Sequence, residues 1–296
     1  VAAAETARRY GDVPGRWGVF GMGKLGGAEM TAGSDLDLIV IYEADADGAQ
    51  TWFTRFTQRL ITGLTAPTAE GDLYEADMRL RPSGRAGPVA VSLDAFRHYQ
   101  NEEAWTWEHM ALTRLRFVAG DAALGTEVGR IAADAICARA RSERRKKIPG
   151  DISDMRQTLY REKPGTGLWD LKTAEGALID VEFMAQQEML LRARPDLIRP
   201  NTARALSGLA DADDPDNEDW CFLRAALNLL ASLQQLQRLA IGNEPGDGPM
   251  PEGLKARMCR AAGESEFGAL EERLAAVKAQ VHALARDKLH LPATES

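Results

Sequence analysis

The sequence has 296 residues, enough for two modest domains with separate cores. Its 45% hydrophobic and 27% charged residues are those of an ordinary globular protein, and no apolar run is long enough to span a membrane. A net charge of −8 argues against nonspecific binding to nucleic acid, although a few local basic groups suffice for one nucleotide.

The chain opens at Val1 without a methionine and no stretch reads as a signal peptide, so a piece of a longer chain is expected. Cys137, Cys221 and Cys259 are odd in number and lack C-x-x-C spacing, which predicts buried, reduced thiols of a cytoplasmic protein. His98, His109, His282 and His290 form neither H-x-H nor H-E-x-x-H, so no zinc site is expected.

In chain order, Trp17 to Phe20 and Leu36 to Tyr42 read as strands, the second rich in β-branched residues. Trp52, Phe53, Phe56, Leu60 and Leu64 have helical spacing. Leu73 to Leu80 alternates, with Leu73, Glu75, Asp77 and Arg79 on one side, which predicts a half-buried strand ended by Arg81-Pro82-Ser83-Gly84. Beyond about residue 121 only helices are predicted: Ala122 to Lys147, Ile152 to Arg161, Leu178 to Arg194, Asp219 to Ile241 and Leu254 to Leu289. The expected organisation is α+β: a domain with a mixed β-sheet over residues 1–120, then an α-helical bundle over 121–296.

Between the first two strands lies Val19-Phe20-Gly21-Met22-Gly23-Lys24-Leu25-Gly26-Gly27, a literal G-x-G-x-x-G. Glu43 stands where the ribose-binding acid of a dinucleotide fold would sit. However, the segment from Gly27 to Ser34 is too short for a crossover between parallel strands. The next strand also opens on Asp35 and Asp37, which a strand covered on both faces should not.

A second reading uses all of these residues. Positions i and i+2 of a strand share a face, so Asp35 and Asp37 project together, and adjacent carboxylates repel unless a cation such as Mg²⁺ lies between them. If Asp77 is carried alongside on a neighbouring strand, three carboxylates can hold a pair of metal ions that clamp the attacking and leaving oxygens at phosphorus. The glycine turn then offers backbone N–H groups, and Lys24 its ammonium, to the phosphates of ATP. This order of strand, glycine turn, short helix, D-x-D and a later acid resembles the nucleotidyltransferase palm of polymerase β-like enzymes. Taken singly, S-D-x-D and a glycine turn are common structural features.

Longer stretches carry a closer resemblance. GMGKLGGAEMTAGSDLDLIVIY, LYEADMRLRPSGRAGPV, YQNEEAWTWEHMALTRLRFVAGD and LWDLKTAEGALIDVEFMAQ resemble the bifunctional glutamine-synthetase adenylyltransferase family over about residues 17 to 195. That family carries one half that adds AMP to glutamine synthetase and one that removes it, and the E-A-W-T-W-E-H segment resembles the adding, C-terminal half. The resemblance implies ATP and Mg²⁺ as cofactors, glutamine synthetase as protein substrate, and the PII signal protein and glutamine as regulators. The candidate residues are Asp35, Asp37 and Asp77 for metal and catalysis, and Gly23, Lys24, Gly26, Gly27, Ser34, Arg79 and Arg81 for the nucleotide. The removing half, and a catalytically silent palm that only binds partners, remain alternatives.

Arg79 and Arg81 are expected beside Asp77, where guanidinium groups suit phosphate oxygens, with pairing to Glu75 as the structural alternative. Trp105, Glu108, His109 and Leu112 would share one helix face and pack on the sheet, with Arg114 or Arg116 as a further phosphate contact. The run Arg139 to Lys147 reads as a solvated helix end. Lys172, Glu175, Asp180 and Glu182 match the family's helical motif, as a polar network or as nucleotide contacts.

Overall fold

The computed structural model describes residues 1–69, 71, 74–213, 217–242 and 250–292, and divides into two compact units. The first comprises Val1–Met30 and Ser34–Ser142; the second comprises Glu143–Ser296 together with Thr31–Gly33.

The first unit is built on five strands: β1 (Arg16–Gly21), β2 (Leu36–Glu43), β3 (Ala76–Asp77), β4 (Ala90–Ser92) and β5 (Arg116–Gly120). β1 runs antiparallel to both β2 and β5, while β3 and β4 pair parallel with β2. Because β1 occupies one edge of β2, β3 and β4 must share the other: β3 takes Leu36–Asp37 and β4 takes Val40–Tyr42. The sheet is therefore mixed.

The helices of this unit are α1 (Ala2–Tyr10), α2 (Gly23–Gly26), α3 (Ala49–Leu64), α4 (Leu93–Glu102), α5 (Thr106–Leu112) and α6 (Ala122–Arg141). Val19, Leu38, Val40 and Tyr42 pack with Trp52, Phe53 and Phe56 of α3. The alternate residues Phe20, Ile39 and Ile41 are equally buried, since α4 and α6 cover the opposite face. Coverage of both faces explains the unbroken apolar run Leu38-Ile39-Val40-Ile41-Tyr42.

Helix α6 lies against β1, β5 and α4, so the break between units falls after Ser142 rather than at residue 120. The predicted strand Leu73 to Leu80 reduces to Ala76–Asp77; Leu73 itself lies outside the described residues. It stops there because the Arg79 N–H donates to Asp77 Oδ1 at 2.8 Å and turns the chain, while β4 takes Val40–Tyr42 farther along the same edge of β2.

The second unit contains α7 (Ile148–Glu162), α8 (Leu178–Arg192), α9 (Thr202–Asp213), α10 (Glu218–Ile241), α11 (Glu252–Ala262) and α12 (Phe267–Lys288), with no strand among its described residues. The predicted single helix Leu254 to Leu289 is two, divided at Gly263. A polar knot fills part of the interior. Arg156 and Asp180, both fully buried, pair at 2.5 Å; the Tyr160 hydroxyl lies 3.0 Å from each Asp180 oxygen, and the Gly176 N–H donates to Asp180 Oδ2 at 2.6 Å. Lys278 Nζ caps three loop carbonyls, those of Gly167, Leu168 and Asp170.

Candidate functional site

The acids converge at the start of β2. Asp37 lies in the strand and stands in register with Asp77 of β3, whereas Asp35 precedes the strand and is exposed. The first bond of the parallel ladder runs from Leu36 N–H to Glu75 O at 2.7 Å, so Asp35 has no strand position to share with Asp37. The glycine loop is tied to the same place: Met22 N–H donates to Asp37 O at 2.9 Å.

After Met22 the chain makes the single turn of α2. Gly23 takes a positive φ of 49°, and a Cβ built there would collide with Asp37 Oδ2. Only glycine lets the turn lie against that carboxylate. Gly26 is required for another reason, because its Cβ would strike the carbonyls of Arg114 and Gly21. The Gly26 and Gly27 N–H groups donate to Met22 O at 2.7 Å and Gly23 O at 3.0 Å, closing the turn instead of facing a phosphate. What α2 can offer an anion is therefore confined to its opening residues, where half-buried Lys24 lies. Ser34 is buried.

The electrostatics of the paired acids diverge. Burial, together with the charges of Asp77 and Asp35, pushes Asp37 up to about 6. Burial also pushes Asp77 up, but hydrogen bonds from the Arg79 side chain and backbone outweigh it and hold Asp77 below the usual carboxylate range. Arg79 Nε donates to Asp77 Oδ2 at 2.6 Å, so Arg79 pairs with Asp77 rather than with Glu75. Among the described residues no three histidine, cysteine or carboxylate side chains converge as metal ligands, Asp77 being turned to Arg79. The donor set is nonetheless all oxygen, and the repulsion that raises Asp37 is what a hard divalent cation would relieve. In chemical type the residues fit Mg²⁺, with the Arg79 guanidinium standing where positive charge is needed.

Other expectations are corrected. Arg81 does not point at the carboxylates: it is buried and donates to the carbonyls of Met78 (2.6 Å), Arg85 and Gly87, because the strand that was to align it with Asp77 ends there. Arg116 closes the C-terminal end of α2 through the Leu25 and Gly26 carbonyls at 2.6 and 2.9 Å. Arg114 pairs with Glu29, a partner that no motif announces. Of the expected packing face, His109 and Leu112 are buried, but Trp105 is 69% exposed and does not belong to it. Glu108 instead accepts from Trp105 N–H at 2.9 Å and from the Tyr99 hydroxyl at 2.7 Å, while buried His109 meets Gln100 O at 2.9 Å.

The run Arg139 to Lys147 is only partly solvated, since Arg139 donates to Ala104 O and Thr106 Oγ1. Cys137 and Cys259 are buried as expected, but Cys221 is exposed. Asp180 is an interior ion-pair partner, whereas Lys172 lines a polar pocket of about 210 Å³ with Trp169, Gln234 and Gln237.

Residues 4–131 match the family described as glutamate-ammonia ligase adenylyltransferase. The chain is 45% identical over 281 residues to a bifunctional glutamine synthetase adenylyltransferase/adenylyl-removing enzyme of Xanthobacter autotrophicus, covering 90% of this chain and 28% of that protein. The protein of that name from Caulobacter vibrioides is 43% identical over 293 residues, covering 95% of this chain and 29% of the relative. The chain thus spans under a third of the length of these relatives. No helix of the described residues is long and apolar enough to cross a membrane.

Proposed function

We propose that this chain, which matches the glutamate-ammonia ligase adenylyltransferase family over residues 4–131, transfers AMP from ATP to a tyrosine hydroxyl of glutamine synthetase, releasing pyrophosphate and lowering nitrogen assimilation. The observation that carries the reading is the pairing of Asp37 with Asp77 across β2 and β3, with Gly23 held against the Asp37 carboxylate. A nucleotidyl-transfer site needs such a cluster, because negative charge accumulates around the phosphorus as the new P–O bond forms.

In this reading Asp35, Asp37 and Asp77 hold Mg²⁺, which when bound offsets the charge of the triphosphate and of the transition state. Asp77, kept ionised by Arg79, accepts the proton of the attacking hydroxyl. Lys24 and the opening of α2 face the triphosphate, and the exposed Arg79 guanidinium can follow a phosphate oxygen once it leaves Asp77. The family resemblance extends the proposal to cytoplasmic action under the control of PII and glutamine, with no nucleic acid or membrane partner.

The test is to incubate the chain with α-labelled ATP, Mg²⁺ and unmodified glutamine synthetase, and in parallel with AMP-modified glutamine synthetase and phosphate. Label on a tyrosine of the protein substrate is expected, with little ADP in the second reaction. Efficient ADP release without labelling would assign the chain to the removing direction. Adding PII or glutamine to the first reaction should change its rate.

A further inference from the structure

The start of β5 lies over the glycine turn, and a bulge in its pairing decides which residue stands there. Gly18 of β1 pairs with Gly120 and Val19 with Ala119; the ladder then shifts, so that Phe20 pairs with Phe117 and Gly21 with Arg116. Val118 is the extra residue, opposed by none on β1 and exposed. An unbroken ladder would set Phe117 opposite Gly21. With the bulge, Arg116 takes that place.

The faces follow from this register. Phe117 meets Phe20 edge-on at 5.7 Å and lies against Gly125 of α6, so Arg116, one residue before it, projects from the other face. There α2 folds back over Gly21, whose missing side chain makes the room: a Cβ on Gly21 would press on Leu25 Cγ and on the Gly26 nitrogen. Arg116 Nη2 donates to Leu25 O at 2.6 Å and its Nε to Gly26 O at 2.9 Å. All of these residues belong to the first unit.

The turn's own hydrogen bonds run from Gly26 N–H to Met22 O, from Gly27 N–H to Gly23 O and from Glu29 N–H to Lys24 O. They set its shape but not its place on the sheet. Its start is placed by the Met22 N–H on Asp37 O, and the chain beyond it by the Glu29–Arg114 pair. Arg116 adds a hold on its end. We infer that Arg116 is a positioning residue for the glycine turn, clamping the closing carbonyls so that the turn stays against Asp37 and is presented ready-made to a triphosphate. The consequence for ATP rests on the proposed nucleotidyl-transfer reading; the clamp itself does not. A guanidinium suits the task because its fork reaches two carbonyls at once, while a lysine ammonium carries the charge without the fork.

The experiment compares wild-type, Arg116→Ala and Arg116→Lys. Amide hydrogen exchange is followed over residues 26–29 in the ligand-free chain, beside thermal unfolding, and AMP transfer to glutamine synthetase is measured at varied ATP. Arg116→Ala is expected to speed exchange of these amides about fivefold or more, since opening the turn no longer breaks two bonds from β5. The Glu29–Arg114 pair remains and keeps the loosening local. KM for ATP should rise about tenfold with kcat within about threefold and KM for glutamine synthetase unmoved, the pattern of binding lost equally from ground and transition states. Arg116→Lys should fall between wild-type and Arg116→Ala on both readouts.

Unchanged exchange in Arg116→Ala would overturn the clamp. Faster exchange with KM for ATP unmoved would overturn the positioning role, and so would a loss confined to melting temperature and kcat. If Arg116→Ala does not fold, Arg116→Lys decides on the same readouts. A wild-type chain that transfers no AMP would count against the proposed reaction, while the exchange comparison would still decide the clamp.

Discussion

Arg79 binds both oxygens of Asp77, its backbone N–H on Oδ1 at 2.8 Å and its Nε on Oδ2 at 2.6 Å. The acid in register with it across the strand pair, Asp37, has no such hold and is pushed up to about 6. Two acids of one cluster are thus driven apart by their surroundings, the arrangement by which a site assigns different tasks to like groups. Arg79 also competes with any cation for Asp77. Arg79→Gln should therefore bind Mn²⁺ several-fold more tightly in calorimetry without nucleotide, and bind ATP·Mg²⁺ more weakly. Unaltered Mn²⁺ affinity would mean that the Arg79–Asp77 pair does not stand in the way of the metal.

The shift of Asp37 makes a prediction about stability. A carboxyl whose folded pKa is raised binds more protons in the native state than in the unfolded state between the ordinary value and about 6. Its ionisation therefore costs stability as pH rises through that window, and the cost is relieved as pH falls. Asp37→Asn removes the penalty. In metal-free protein at neutral pH the variant should melt a few degrees above wild-type, while AMP transfer drops by about two orders of magnitude or more. A variant less stable than wild-type at pH 7.5, or as active, would show that Asp37 is not a repelled ligand.

The two glycines of the turn should fail in different ways. Gly23→Ala drives a methyl into the Asp37 carboxylate and places alanine at a φ of 49°, a strain of about 1–2 kcal/mol. The chain should still fold, with transfer nearly abolished. Gly26→Ala meets the backbone carbonyls of Arg114 and Gly21, which cannot swing aside as a side chain can. Its main effect should be a large loss of melting temperature. Normal melting for Gly26→Ala with a selective rise in KM for ATP would return Gly26 to the nucleotide-binding role that its motif suggests.

The sequence made the acids legible because their signals are local. D-x-D opens a β-branched run, and a glycine turn precedes it at short range. The short connection also excluded the dinucleotide fold correctly, since β1 and β2 are antiparallel. What failed depended on pairing. The period of two over Leu73 to Leu80 does not make a long strand, because Asp77 accepts from the Arg79 N–H and turns the chain, and β4 takes Val40–Tyr42 of the same β2 edge. With that strand went the alignment of Arg81. β4 is too short to show a period, and β5 does not alternate, being half-buried at Arg116 and Phe117 and exposed from Val118 to Gly120. Trp105 was misplaced because it precedes α5 rather than lying within it, so helical spacing does not apply to it.

Asp180 illustrates how one motif supports two readings that stability can separate. Its carboxylate is fully buried and meets Arg156, the Tyr160 hydroxyl and the Gly176 N–H. Arg156 is buried as completely, and its guanidinium carbon lies 3.4 Å from the centre of the Tyr160 ring. Asp180→Ala would leave that guanidinium without its counter-charge in the interior. Removing one partner of a buried pair costs about 3–5 kcal/mol, so urea unfolding should shift by that amount. Replacing both charges, as Arg156→Met with Asp180→Leu, should recover much of the loss, since no uncompensated charge remains. If Asp180 instead contacts a nucleotide, Asp180→Asn should raise KM for ATP while leaving the unfolding midpoint in place. The geometry predicts the opposite pattern: a lowered midpoint, and KM for ATP unchanged under conditions where the variant stays folded.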